Sequence, residues 1–285
     1  MAFKDAGDKV MAFRDAGNNM YARHHEPIII AHRGGGFAPE NSWTAFSRAI
    51  DDGFSYIETD AHVTADGRVV LIHDPFVGRV TTGAGLVKDF TYEALRKLKL
   101  TGEPGCGVRP CEHPIPLLEE VLEAFPHARF NVDAKEPQVV EPLARIARKY
   151  PQRVCLASFE VSTLRRLRKA VGSAGVVTSL ASMEVAQLVL AAQLTVPPSW
   201  LSVPAPADGV VAVQVPLSYR GVPVVTPRFV ASAHKHGLAV HVWTLNSVPE
   251  IHRALTLGVD GIVTDKPRLA RTVLRHFRAQ PGSHF

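Results

Sequence analysis

The chain has 285 residues, of which 46% are hydrophobic and 21% charged, a balance that fits a soluble globular protein and excludes fibrous, low-complexity and disordered classes. At 31.0 kDa, one large α/β core accounts for the length better than two small ones. A formal charge of +5 raises nucleic acid as a partner. The one basic stripe, Arg268, Arg271, Arg275 and Arg278, reads instead as the solvated face of an outer helix, so no nucleic acid is expected.

The N-terminus carries an imperfect tandem repeat, Met1-Ala-Phe-Lys-Asp-Ala-Gly-Asp against Met11-Ala-Phe-Arg-Asp-Ala-Gly-Asn. Two copies are too few to build a repeat fold. Residues 1–26 are therefore read as an extension and 27–280 as the domain. No apolar run of signal-peptide length precedes the first strand, and none approaches the ~20 residues that span a bilayer. The expectation is a cytoplasmic protein without stable membrane insertion; homo-oligomerisation is left open.

From Ile28 onward, short apolar strands alternate with longer amphipathic stretches, the pattern of a parallel sheet wrapped by helices. Strands are expected at Ile28–His32, Tyr56–Asp60, Phe130–Lys135, Val154–Ser158, Val176–Leu180, Val211–Val215, Val240–Thr244 and Gly261–Thr264. Eight is the number that closes a TIM barrel, (β/α)8. Helices are expected at Trp43–Asp52, Tyr92–Leu98, Leu117–Phe125, Val139–Arg148, Ser162–Val171, Met183–Gln193, Pro227–His236, Val248–Leu257 and Arg268–Arg278. Asn41-Ser42 and Thr226-Pro227 supply start signals for two of them.

One segment breaks the alternation. Asp66-Gly67, flanked by Val63 and by Val69-Val70-Leu71-Ile72, is a hairpin signal. The fold is thus read as a single TIM barrel with a β-hairpin excursion after the second strand, which returns His73-Asp74 beside Glu58 and Asp60. Val196–Asp208, rich in Pro and Ala, is read as a loop without an assigned function. Cys106, Cys111 and His113 lack a second ligand cluster at finger-like spacing and read as a surface loop, not a metal site.

Ionisable residues collect at the C-terminal strand ends, where a barrel of this kind places its active site. His32-Arg33 ends the first strand, Glu58-Thr59-Asp60 the second, His73-Asp74 the hairpin and Asp133-Ala134-Lys135 the third. Residues two apart on an extended chain share a face, so Glu58 and Asp60 point together into the mouth. Three inward carboxylates, Glu58, Asp60 and Asp133, need a counter-charge, which one hard divalent cation, Mg²⁺ or Ca²⁺, supplies; ion pairing with Arg33 and Lys135 alone is the plainer reading. His32 and His73 suit proton transfer near neutral pH. Arg33 and Lys135 suit phosphate oxygens. Asn41 suits a phosphate or metal ligand, or a helix cap, and Trp243 a wall for an alcohol group or a core residue.

His32-Arg33-Gly34, Pro39-Glu40-Asn41-Ser42, Glu58-Thr59-Asp60 and His73-Asp74 together resemble the signature of the glycerophosphodiester phosphodiesterases. Val242–Asn246 and Gly258–Pro267 resemble the C-terminal blocks of the same family. The resemblance implies metal-dependent hydrolysis of a small-molecule glycerophosphodiester to glycerol 3-phosphate and an alcohol, through a cyclic phosphate. It further implies His32 and His73 as the acid–base pair, Glu58, Asp60 and Asp133 on the metal, and Arg33 and Lys135 on phosphate. Two departures stand out. Asp133 replaces the family's more usual Glu, and Pro75–Arg79 lacks its leucine-acidic pattern. The alternatives are a lysophospholipase D-like phosphodiesterase and a non-catalytic phosphate- or lipid-binding barrel.

Overall fold

The computed structural model describes residue 21, residues 26–101 and residues 114–279. The N-terminal repeat and Cys106, Cys111 and His113 lie outside the described residues.

Eight parallel strands close on themselves. They are β1 (Ile28–His32), β2 (Tyr56–Val63), β4 (Arg129–Ala134), β5 (Val154–Ala157), β6 (Val177–Ser179), β7 (Val210–Val215), β10 (Ala239–Val242) and β11 (Gly261–Thr264). β1 pairs with β11 on one side and β2 on the other, which completes the ring. The staves are largely buried on both faces, as parallel strands between a barrel interior and a helical layer must be; Val, Ile, Leu and Ala dominate most of them, while β2 and β4 also carry the buried polar residues Glu58, Thr59, Asp60, Asn131 and Asp133.

The hairpin exists, with one difference from the expectation. β2 continues unbroken to Val63, and β3 (Val69–Leu71) folds back on it antiparallel, Ala61 opposite Leu71. Thr64, Asp66 and Gly67 close the turn, with Gly67 at φ +77° where a Cβ is disfavoured. The Ile72 N–H donates to the Asp60 carbonyl at 3.0 Å, so the returning arm delivers His73 to the end of β2.

The helices among the described residues are α1 (Trp43–Asp51), α2 (Tyr92–Leu95), α3 (Leu118–Ala124), α4 (Val140–Ala147), α5 (Val161–Val171), α6 (Ser182–Leu194), α7 (Pro227–Lys235), α8 (Val248–Thr256) and α9 (Pro267–Ala279). α2 stops three residues short of the expected Leu98, because Thr81 then bridges antiparallel to Leu100 and draws the backbone out of the helix. Val196–Asp208 contains two 3₁₀ turns, Pro198–Leu201 and Pro206–Asp208. A second hairpin, β8 (Ser218–Tyr219) with β9 (Val222–Pro223), was not expected.

Two large apolar clusters fill the space between staves and helices, one on each side of the barrel. A smaller one inside it includes Ile30, Tyr56, Cys155, Val177, Val211, Ala239 and Val263. Tyr21 plugs its N-terminal end, fully buried and edge-on to Tyr56 with ring centroids 5.5 Å apart. The opposite end is where the charged residues gather.

Candidate active site

Strand register assembles the site. His32 stands opposite Glu58 across β1–β2, and Asp60 opposite Asp133 across β2–β4. Partners in a parallel ladder point to the same side of the sheet, so all four side chains enter the mouth. On the other flank Ala31 pairs with Thr264, so the following residues, His32 and Asp265, meet across the seam where the barrel closes.

His32 Nδ1 lies 2.6 Å from Asp265 Oδ1, and its Nε2 3.8 Å from Glu58 Oε2. An ionised carboxylate only accepts, so Nδ1 carries a hydrogen and Nε2 faces the mouth. Asp265 is itself held, by the Asn246 amide at 2.6 Å, while Asn246 Oδ1 accepts the Asp265 N–H at 2.9 Å. Burial opposes the charged imidazole, yet the Asp265 hydrogen bond and the charge of Glu58 outweigh it and raise the His32 pKa. Gly36 makes this packing feasible. A Cβ there would stand 2.7 Å from the Asp265 carbonyl oxygen, in a backbone with φ +66°.

His73 repeats the arrangement. Its Nδ1 is 2.5 Å from Asp74 Oδ1, and Asp74 is held through its other oxygen by Arg79 Nε. Arg79 also donates to Glu40, which accepts from Arg33 at 3.0 Å. His73 thereby joins the same network.

Asp60 is the hub. It receives Asn41 Nδ2 at 2.9 Å and lies 2.8 Å from Lys135 Nζ and 3.2 Å from Arg33 Nε. Despite burial, Lys135 and Arg33 hold its carboxyl below the ordinary carboxylate range. Lys135 also bonds Asp133 Oδ2 at 2.6 Å. Burial, joined by the charge of Asp60, raises Asp133 even so. Among the described residues, Glu58 has no cation side chain at such range. Burial first, then Asp60, push it up to about 8. Asn41 is not the helix cap: Ser42 caps α1 by accepting from the Ala45 N–H, while Asn41 spans Asp60 and Thr59.

The carboxylates match a hard cation in kind: three buried oxygen donors on adjacent strands, with Asp133 Oδ1 buried and without a hydrogen-bond partner. Lys135 Nζ lies between Asp60 and Asp133. Among the described residues, no three His, Cys, Asp or Glu side chains are already grouped around one centre.

Trp243, half-buried beyond β10, meets the exposed Phe159 edge-on at 5.8 Å, and Lys135 Nζ lies 5.8 Å from the same Phe159 ring. Thus Trp243 belongs to one wall of the mouth. Sequence reasoning missed Asp265, Asn246, Glu40, Arg79 and Phe159 as site residues. Asp265 carried a signal, since it directly follows the last stave as His32 ends the first.

The barrel and its family match together make this chain a phosphoric diester hydrolase. Residues 32–269 match the glycerophosphoryl diester phosphodiesterase family, and the chain belongs to that family. It is 33% identical to a glycerophosphodiester phosphodiesterase of Bacillus altitudinis over 84% of this chain and 94% of the relative. It is 30% identical to one of Caldanaerobacter subterraneus over 87% and 98%. A phosphodiesterase of Oleispira antarctica, solved with the product sn-glycerol 3-phosphate, shares the fold at TM-score 0.66 and 20% identity, covering 88% of this chain and 97% of its own. No helix among the described residues is long and apolar enough to cross a membrane.

Proposed function

We propose that the protein hydrolyses glycerophosphodiesters to glycerol 3-phosphate and an alcohol, with His32 and His73 as the acid–base pair. The observation that carries this is the duplicated imidazole arrangement, His32–Asp265–Asn246 and His73–Asp74–Arg79. In each, a carboxylate fixed from behind takes Nδ1 and leaves Nε2 for proton transfer.

Glu58, Asp60 and Asp133 would hold one divalent cation. Bound there, such an ion offsets the carboxylates and polarises the phosphate. Arg33 and Lys135 then bind phosphate oxygens, Lys135 as a cation whose pKa its two carboxylate partners raise against burial. Asn41 keeps Asp60 oriented, and Trp243 walls the alcohol side. One imidazole accepts the proton of the neighbouring glycerol hydroxyl as its oxygen bonds phosphorus. The other protonates the departing alkoxide as the second P–O bond breaks. Water then opens the cyclic phosphate with the proton roles reversed.

His32→Ala tests the assignment on glycerophosphocholine. Release of glycerol 3-phosphate should fall by about a hundredfold or more with the melting temperature retained, and undiminished hydrolysis overturns it. The Phe159–Trp243 wall gives a lysophospholipid a surface for its acyl chain, so lysophosphatidylcholine belongs in the same assay.

A further inference from the structure

Hairpin β8–β9 forms a small sheet separate from the barrel. Its root is packed, with the N–H groups of Val224 and Val225 donating to the buried Leu217 at 3.0 and 3.2 Å. Its tip, Arg220-Gly221, has φ of +49° and +80°, positive at both central residues of a two-residue hairpin turn. It leaves the C-terminal end of β7, and all staves are parallel, so it projects from the same end of the barrel as the catalytic mouth.

Tyr219 and Val222 are direct cross-strand partners and share one face of the hairpin. They are 61% and 63% exposed, so this apolar face does little for the fold. Arg220 lies over the Tyr219 ring at 5.4 Å. Exposed Phe159 and Met183 follow β5 and β6 on the same rim. Between Asp208 and Glu250 the chain has no carboxylate side chain, whereas it has Arg220, Arg228 and Lys235. Arg228 is exposed in the first turn of α7, next to the hairpin.

We propose that this hairpin seats the catalytic mouth on a lipid surface bearing anionic phosphate headgroups. Tyr219 and Val222 enter the boundary between headgroups and acyl chains, and Arg220 and Arg228 meet the phosphates. The chemistry favours lipid over protein. A Tyr–Val pair is far smaller than the roughly 800 Å² per partner of a stable protein interface, whereas an amphipathic ring beside cations suits the headgroup layer. Placement and charge carry the proposal independently of the reaction assigned above.

The test is sedimentation of the full chain with vesicles of phosphatidylcholine alone and with about a third phosphatidylglycerol. Binding to the anionic vesicles only, weakening as salt rises, is expected. Tyr219→Ser/Val222→Ser and Arg220→Asn, the latter tolerant of positive φ, should each weaken it by about tenfold or more. Melting temperature and turnover of a water-soluble diester should stay unchanged. The unchanged melt keeps the test valid even if no diester is turned over. Absence of wild-type binding, or full binding by the double variant, overturns the proposal. So does a concentration-dependent dimer in gel filtration that the double variant abolishes while vesicle binding persists, because the face would then be a self-association surface.

Discussion

The site raises the pKa of both Glu58 and His32, with opposite consequences for stability. A carboxyl raised from 4.5 to about 8 destabilises the metal-free protein progressively as pH rises between those values, because the unfolded chain ionises first. Glu58→Gln should therefore raise the metal-free melting temperature at neutral pH and flatten its fall with pH, while abolishing turnover. His32 behaves oppositely, since its raised pKa contributes stability that is present below about 6.5 and lost as pH rises through the folded value. Asp265→Asn removes the main partner of that charge. The basic-side limb of the His32 titration, followed by NMR, should move to lower pH; an unmoved titration would show that Asp265 does not set it.

Between elements, α5 and α6 are locked by Arg168, which grips Glu184 with both Nη atoms at 2.7 and 2.9 Å and also bonds Thr178 and Ser179. Glu184 in turn accepts the Ala181 N–H at the start of α6. Burial opposes its charge, but Arg168 holds its carboxyl below the usual range. Its contribution is present above the ordinary Glu value and lost as pH falls through the folded one. Glu184→Gln should cost about 2 kcal/mol at pH 7 in urea denaturation and shrink that difference in acid. Removing the cap of α7 is milder. Thr226 accepts the Phe229 N–H at 3.2 Å, and Thr226→Ala should cost about 1 kcal/mol by the same measurement.

At the scale of the whole barrel, the site straddles the closure seam. His32 and Asp265 are 233 residues apart in the chain, and α9 is clasped to the end of α1 by Arg268 and Arg271 on Asp52. A cation that binds only the closed barrel raises its stability by mass action, about 2.7 kcal/mol at a hundredfold excess over Kd. EDTA should therefore abolish turnover and lower the melting temperature together, with Mg²⁺ or Ca²⁺ restoring both in the wild type and neither in Glu58→Gln. Turnover that persists in chelator would remove the cation from the reaction.

Local physics made much of this legible in advance. Apolar runs of strand length marked eight staves, Asp66-Gly67 marked the hairpin, and period-two spacing put Glu58 with Asp60. Arg220-Gly221 escaped notice because an Arg at positive φ is not a standard turn signal. What only the tertiary structure decided are the pairings between distant segments: Asp265 with His32, Arg79 with Asp74 and Glu40, Lys135 between Asp60 and Asp133, and Tyr21 in the barrel floor. Periodicity reports which face a side chain takes within its own element. Which carboxylate meets which imidazole depends on strand register and on how the ring closes, and those are set by packing across the whole molecule.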